Sequence, residues 1–125
     1  MIKKLPFIFL LFTLTSIAQY SIKGSIDPSD KFSWILLYKM ENGEQSYVQN
    51  ADIVDGEFEF NLTEKEGSGI YRAYYQIENG LYVEFIYNDE DVEFNFDPIQ
   101  PEQTLQFTKS DENSLHQKYY KSIRM

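Results

Sequence analysis

Side chains suited to acid–base or nucleophilic chemistry are scarce in this chain of 125 residues. His116 is the single histidine, and cysteine is absent. A Ser/His/Asp or Cys/His centre needs a histidine held in a pocket beside its nucleophile. His116 instead lies in a predicted C-terminal helix, with no acidic or thiol partner at a suitable spacing. We therefore interpret it as a solvated helix residue and predict neither kind of nucleophilic centre.

Carboxylates are the other candidates for catalysis, because paired carboxylates can hydrolyse glycosidic bonds. The candidates are Glu57, Glu59, Glu84, Glu93 and Asp97. All five take the outward phase of predicted strands, so no pattern indicates desolvation. The acidic run over 88–91 could ligate calcium, but it lacks the spacing and glycine of an EF-hand loop. We interpret it as a solvated hairpin tip. The sequence thus predicts no enzyme, no metal site and no cofactor.

The aromatic side chains are the feature that suggests binding. They make up 17% of the sequence, too many for the core of so small a domain to bury in full. Rings on a sheet face can stack on sugars or anchor a protein partner, and ordinary cross-strand pairing is the alternative. Because Tyr74 and Tyr75 are adjacent, one of them must point away from the face that the other takes. The candidate contacts for a ligand or partner are Trp34, Tyr74, Tyr75 and Tyr82.

Strands must position these rings, because alternation of apolar and polar residues dominates the chain after residue 18. Phe58 and Phe60, for example, alternate with Glu57 and Glu59, as in an antiparallel sheet with one wet face. About eight strands at short intervals predict an all-β fold, either an antiparallel β-sandwich or an open barrel. Gly24 interrupts the first strand and indicates a bulge or a close approach.

Three Asn-Gly or Asp-Gly pairs punctuate the strands, at 42–43, 55–56 and 79–80. Each pair tolerates the positive φ angles of a type I′ turn, so each predicts a tight hairpin. No helix is predicted before Ser110. Residues 110–125 then read as a short C-terminal α-helix that Ser110 or Asp111 caps. No Gly or Pro ends this helix. We therefore favour a truncated linker over a terminal helix docked on the sandwich.

The first residues have the pattern of a secretory signal peptide. Lys3 and Lys4 precede an apolar run over 5–12, and a small-residue site follows at Ser16 and Ala18. The alternative, a membrane anchor, would need about 20 apolar residues. The predicted organisation is a signal peptide over 1–18, a β-sandwich domain over 19–109 and the helix over 110–125. Export to the periplasm or another extracytoplasmic space follows, with no integral membrane segment after cleavage.

The net charge limits the classes of partner that the protein can bind. With 20 acidic and 11 basic residues, the chain has a formal charge of −9. A strongly acidic surface repels phosphate backbones and anionic membranes. We therefore expect no nucleic-acid partner.

The chain from Tyr20 onward resembles an uncharacterised β-domain family of periplasmic proteins from Gram-negative bacteria. The matching segments are 20–24, 35–38, 54–60, 69–72, 91–94 and 110–113. In that family the domain precedes a thioredoxin-like domain of the thiol-disulfide reductase or peroxiredoxin type. The resemblance implies a non-catalytic accessory role beside a redox domain or another periplasmic protein. The alternative is a free-standing binding module whose exposed aromatics take a glycan or a protein. No redox role transfers to any residue here, because this chain lacks both the redox domain and its cysteines.

Cleavage of the signal peptide is directly testable. Protein purified from an exporting host should begin at Gln19, because the apolar run is too short to span a bilayer and a peptidase site follows it. Intact-mass measurement decides this. A mass that retains residues 1–18 would show that the segment is an anchor.

Overall fold

Two four-stranded sheets pack face to face in the computed structural model, which describes residues 18–110 and 113–115. The strands are β1 (Gln19–Ile26), β2 (Trp34–Glu41), β3 (Glu44–Asp52), β4 (Glu57–Thr63), β5 (Gly69–Gln76), β6 (Leu81–Tyr87), β7 (Val92–Phe96) and β8 (Gln106–Lys109). The prediction of an all-β sandwich of about eight strands is confirmed. The predicted signal peptide lies outside the described residues, apart from Ala18.

The first sheet has the strand order β4-β1-β7-β8 and the second has β3-β2-β5-β6. The chain changes sheet after β1, β3, β4 and β6. Every neighbouring pair is antiparallel except β1 and β7, which run parallel with Ile22 opposite Val92. This pair departs from the otherwise antiparallel arrangement. The reason is that the connection after β6 is a crossover, which brings the chain back alongside β1 in the same direction.

Alternation along the strands places one apolar row of each sheet in a common core. In β4 the buried residues are Phe58, Phe60 and Leu62, and the residues between them are exposed. Tyr71, Phe85 and Tyr87 face them from the second sheet and are almost wholly buried. The core is therefore built largely from aromatic rings, which bury much area per residue.

Gly24 lies where two neighbouring strands bring phenylalanine rings together. It is opposite Phe58 in β4 and Phe94 in β7, and the two rings are 5.8 Å apart. A Cβ atom at this position would come within 2.2 Å of the Phe58 ring. Both ladders run through Gly24 without a register shift. Of the two predicted roles, the glycine therefore serves a close approach and not a bulge.

Two of the three predicted tight turns have the expected backbone. Asn42 and Gly43 have φ angles of 52° and 78°, and Asp55 and Gly56 have 53° and 80°. At the third pair only Gly80 has a positive φ, of 63°, and its N–H donates to the carbonyl of Ile77 over 2.9 Å. The type I′ prediction is wrong there. A four-residue turn over 77–80 replaces it, with a register shift between Tyr74 and Gln76.

A one-turn helix, α1 (Pro101–Thr104), joins β7 to β8. The expectation of no helix before Ser110 was therefore wrong. Pro101 at the first helical position has its φ angle fixed at a helical value. Its missing N–H costs nothing, because the first N–H groups of a helix have no acceptor within the helix. The Thr104 hydroxyl donates back to the carbonyl of Gln100 over 2.7 Å and closes the turn.

Two side-chain amides bind backbone groups at sheet edges, where a neighbouring strand would otherwise bind. The Gln49 amide of β3 accepts from the Asn61 N–H and donates to the Asn61 carbonyl, over 3.1 and 3.0 Å, and so covers the edge of β4. The Asn113 amide does the same for Ile86 at the edge of β6, over 2.6 and 2.7 Å. Each amide satisfies backbone groups that an edge strand otherwise leaves open.

The start of the predicted tail helix is bound to the sandwich. The buried Ser110 hydroxyl accepts from the N–H of Asn113 over 3.2 Å, as an N-cap does. The same hydroxyl donates to Glu90 over 2.6 Å. Asn113 to Leu115 are helical, and the Leu115 side chain is 70% exposed. Residues 111–112 and 116–125, which include His116 and most of the predicted helix, lie outside the described residues.

Gly24→Ala should lower the free energy of unfolding by about 1–3 kcal/mol, because the new methyl group displaces the Phe58 ring in a packed core. Lys23→Ala, on the outward side of the same strand, is the matched control and should change it by less than about 0.5 kcal/mol. Adding Phe58→Leu to Gly24→Ala should cost less than the sum of the single changes, because the two sites share one space. Urea unfolding measures the unchanged protein, the three single variants and the double variant. Additive costs would show that the ring does not press on this position.

Candidate functional site

The outward surface of the second sheet carries most of the exposed rings. We call it the aromatic face. Cross-strand register places its apolar members in rows across β3, β2, β5 and β6. They are Trp34, Leu36, Tyr38, Met40, Tyr47, Ile70, Tyr74, Tyr82 and Ile86. Such an apolar outer face is uncommon on a monomeric domain and is typical of an interaction surface.

Four tyrosines on this face form a continuous chain of ring contacts. The ring centroids of Tyr47 and Tyr38 are 5.9 Å apart, those of Tyr38 and Tyr74 are 5.4 Å apart, and those of Tyr74 and Tyr82 are 5.0 Å apart. The Tyr74 hydroxyl also donates to the side chain of Gln45. The rings are therefore fixed by their neighbours, and a partner would meet a surface that needs little ordering.

Arg72 supplies the positive charge in the middle of the aromatic face. Its Nε atom donates to Glu84 over 3.0 Å, and its guanidinium carbon lies 4.5 Å from the ring centroid of Tyr82. The ion pair neutralises Glu84, and the stacking adds a cation–π contact. The centre of the face is consequently apolar and almost neutral, within a strongly acidic molecule.

The four residues proposed from the sequence separate into two groups. Trp34, Tyr74 and Tyr82 lie on the aromatic face; Trp34 is 45% exposed, whereas Tyr74 is covered by its neighbours. Tyr75 points into the core, is 3% exposed, and donates to the Pro98 carbonyl over 3.0 Å. Tyr75 is therefore inaccessible to a partner. One of the two adjacent rings faces away from the other, as the alternation required.

Tyr38, Tyr47, Ile70 and Arg72 belong to the face but were missing from the candidates. The signal was present in β2, where Trp34, Leu36, Tyr38 and Met40 share one phase of the alternation. The other phase of this strand combines Ile35 and Leu37 with charged residues, so alternation alone does not indicate that the wholly apolar phase faces the exterior. Only the position of the second sheet opposite the first assigns that phase.

The outer surface of the first sheet has the opposite character. Its outward residues are polar or charged, as with Lys23, Glu57, Glu59, Asn61 and Asn95. They line a broad open concavity of about 1010 Å³. The sandwich thus has one hydrophilic face and one aromatic face, and only the second offers the apolar contacts that dominate protein interfaces.

Carboxylates of the 88–91 run serve the fold. Asp91 accepts from the Ser21 N–H over 2.9 Å and pairs with Lys109 over 3.3 Å. The bond from the Ser21 amide and the charge of Lys109 lower the pKa of Asp91 below its usual value, against a smaller opposing effect of burial. Glu90 accepts from Ser110. The run therefore joins β1, β8 and the tail, where the sequence suggested only a solvated tip.

Metal and membrane features are limited to two observations. Within residues 18–110 and 113–115, no three metal-ligating side chains come together in a possible ion site. Among the same residues, no helix has the length and apolar character needed to cross a bilayer.

Comparison with known proteins identifies a family. The family model described as "Domain of unknown function (DUF4369)" matches residues 20–115. The match begins at the first strand and extends through the Ser110–Asn113 anchor of the tail. No curated protein matches the chain.

Tyr75→Phe should make stability less sensitive to alkali. Burial, with a smaller contribution from Asp97, raises the pKa of Tyr75 to about 12, above its unfolded value of about 10. The stability that Tyr75 contributes is therefore complete below about pH 10 and is lost as the pH rises towards about 12. Between about pH 8 and about pH 11, the free energy of unfolding should fall by about 1.4 kcal/mol less in the variant. Urea unfolding at both pH values measures this, and equal falls would contradict it.

Proposed function

The chain belongs to the DUF4369 family, and from this premise we propose that it is a non-catalytic accessory domain that docks on a thioredoxin-like domain through its aromatic face. The observation that carries the proposal is the contrast between the two outer surfaces. One is hydrophilic, and the other presents a fixed chain of tyrosines with exposed Trp34, Tyr47 and Ile70 around it.

The area of the face favours a tethered partner. Four strands about 4.8 Å apart and about seven residues long cover roughly 450 Å² in projection. Stable complexes of free proteins bury about 800 Å² on each side. A domain joined by a linker reaches millimolar effective concentration and needs less contact area. Docking within one polypeptide therefore fits this face better than capture of a free protein.

The choice of a thioredoxin-like partner rests on the resemblance noted in the sequence, in which such a domain follows this one. The chemistry of the face sets the partner's surface. The exposed carboxylate of Asp52 lies opposite Trp34 at one end of this face. The complementary surface is apolar, with a basic side chain at that end. An exported location is part of the same proposal, since the signal-peptide pattern and the absence of cysteine fit an accessory domain in the periplasm.

A glycan-binding module is the second candidate, favoured by the exposure of Trp34. Its ring is 45% exposed and lies opposite Asp52 across the β2–β3 ladder. A ring beside a carboxylate can stack on a sugar and accept from its hydroxyls. Because Trp34 is the single tryptophan, its fluorescence reports on this position alone. A saturable change with an oligosaccharide, without docking of the redox domain, would replace the first proposal by the second.

Docking is tested by NMR on a fusion of this domain with a thioredoxin-like domain at its C-terminus, compared with the isolated domain. Amide shifts should change at Leu36, Tyr38 and Arg72 and stay unchanged at Glu59, on the hydrophilic face. Ile70→Lys should reverse most of these changes, because an ammonium group would be desolvated in an apolar contact.

The matched control is Asn95→Lys, which adds the same charge to the hydrophilic face and should leave the shifts of the fusion unchanged. Both variants should keep the thermal midpoint within a few degrees, since both positions are outside the core. Shift changes confined to the hydrophilic face, or no changes beyond the linker, would refute docking through the aromatic face.

A further inference from the structure

Part of the outer edge of β3 has no hydrogen-bond partner among the described residues. At the other edges among the described strands, Gln49 covers β4 at Asn61 and Asn113 covers β6 at Ile86. β8 has four residues, and its ladder with β7 has a register shift. No described residue pairs with the outer side of β3 between Glu44 and Tyr47, and all four residues there are exposed.

The tight turn at Asn42-Gly43 determines which backbone groups lie on this edge. Glu41 and Glu44 flank the turn as a hydrogen-bonded pair, and bonded and non-bonded pairs alternate along the hairpin. Gln45 and Tyr47 are therefore non-bonded towards β2. Their N–H and C=O groups point away from the sheet, and their side chains lie on the aromatic face.

Between Glu44 at its start and the bulge at Val48, this edge lacks the residues that normally protect one. Natural edge strands carry charges, prolines or strong bulges that prevent pairing with another strand. Residues 45–51 contain no charge, no proline and no glycine, in a chain with a net charge of −9. The extra residue Val48, at the register shift between Leu37 and Tyr38, ends the regular edge after Tyr47. The usable edge is therefore short but chemically neutral.

We propose that this edge binds a second copy of the chain, with the two β3 strands antiparallel about a two-fold axis at Ser46. Gln45 then lies opposite Tyr47 of the second copy, and the reverse pair forms by symmetry. Because the N–H and C=O groups of both residues point away from β2, each pair can exchange two backbone hydrogen bonds. No like charges oppose each other, since Glu44 faces Val48 of the second copy.

The arrangement is self-complementary, which favours a second copy over an unrelated strand. Closed two-fold contacts need one patch that matches itself, and Gln45, Ser46 and Tyr47 do so in this register. The second sheet of each copy then joins the other across the two β3 strands. The result is one eight-stranded sheet with a continuous aromatic face. This dimer goes beyond the proposed docking, and either can fail without the other.

Charge and size make the dimer weak and dependent on salt. Two acidic molecules repel each other until salt screens them, over about 8 Å at physiological ionic strength. The contact is well below the area of stable interfaces. We therefore expect association at high protein concentration that strengthens with added salt, whereas salt would weaken a dimer held by ion pairs.

Cross-linking tests the register, and the absence of cysteine makes single-cysteine variants unambiguous. Ser46→Cys should form an intermolecular disulfide under mild oxidation, because residues facing each other across a two-fold strand pair lie within the Cα distance that a disulfide spans. Glu44→Cys is the matched control on the same edge. Its two copies would be four residues out of register, about 13 Å apart, and should not cross-link. Equal cross-linking of both, or of neither, would overturn the register.

Sedimentation of the cysteine-free chain tests the dimer itself, from about 10 µM to about 1 mM, the range for a weak interface. Tyr47→Lys should abolish dimer formation, because a lysine on an edge strand opposes pairing. Thr108→Lys adds the same charge to the edge strand β8 and should leave the dimer intact. Both changes reduce the net negative charge, so general repulsion predicts a stronger dimer in each. A monomer at high salt, a dimer that survives Tyr47→Lys, or loss in both variants would refute the proposal.

Discussion

β1 runs between β4 and β7, and the rings of Phe58 and Phe94 close over its Gly24. The rest of the sandwich depends on this packing, since the chain has no cysteine and thus no disulfide to hold the sheets together. Stability must come from burial, and large rings supply it at high area per residue. The close approach also permits the parallel pairing of β1 with β7, which joins the early and late halves of the chain in one sheet.

The two outer surfaces differ because the two sheets use the outward phase of their strands differently. In the first sheet the outward phase is polar, so the outer surface of that sheet is solvated. In the second sheet it carries tyrosines, which contact each other and hold Arg72 above Tyr82. A domain of this charge has ample polar residues for both surfaces, and it places few of them at the centre of the aromatic face. That asymmetry is the physical basis of the proposed docking.

A few polar side chains link elements at the ends and edges of the sandwich. Asp91 joins β1 to β8, and Asn113 joins the tail to β6. Each replaces a backbone partner that the ends and edges of a sandwich lack. Glu90 and Ser110 extend the same connection. The acidic run over 88–91, which the sequence suggested was a solvated hairpin tip, therefore closes the side of the sandwich where β6 and β8 lie.

The sequence by itself predicted the all-β class, a sandwich or open barrel, two of three type I′ turns correctly, and an N-cap at Ser110 or Asp111. Each depends on local alternation or on a residue's own backbone preference. It also required Tyr74 and Tyr75 to face opposite ways. The tertiary structure decided which of them faces the core. The phase of β5 that holds Tyr74 also holds Arg72 and faces outward, whereas the phase of Tyr75 packs against the opposing sheet. The one-turn helix and the turn at Gly80 are local, but strand alternation and the Asn-Gly pair favoured other conformations there. Tertiary structure alone decided the parallel β1–β7 pair, because a crossover between distant segments is not encoded in any local pattern.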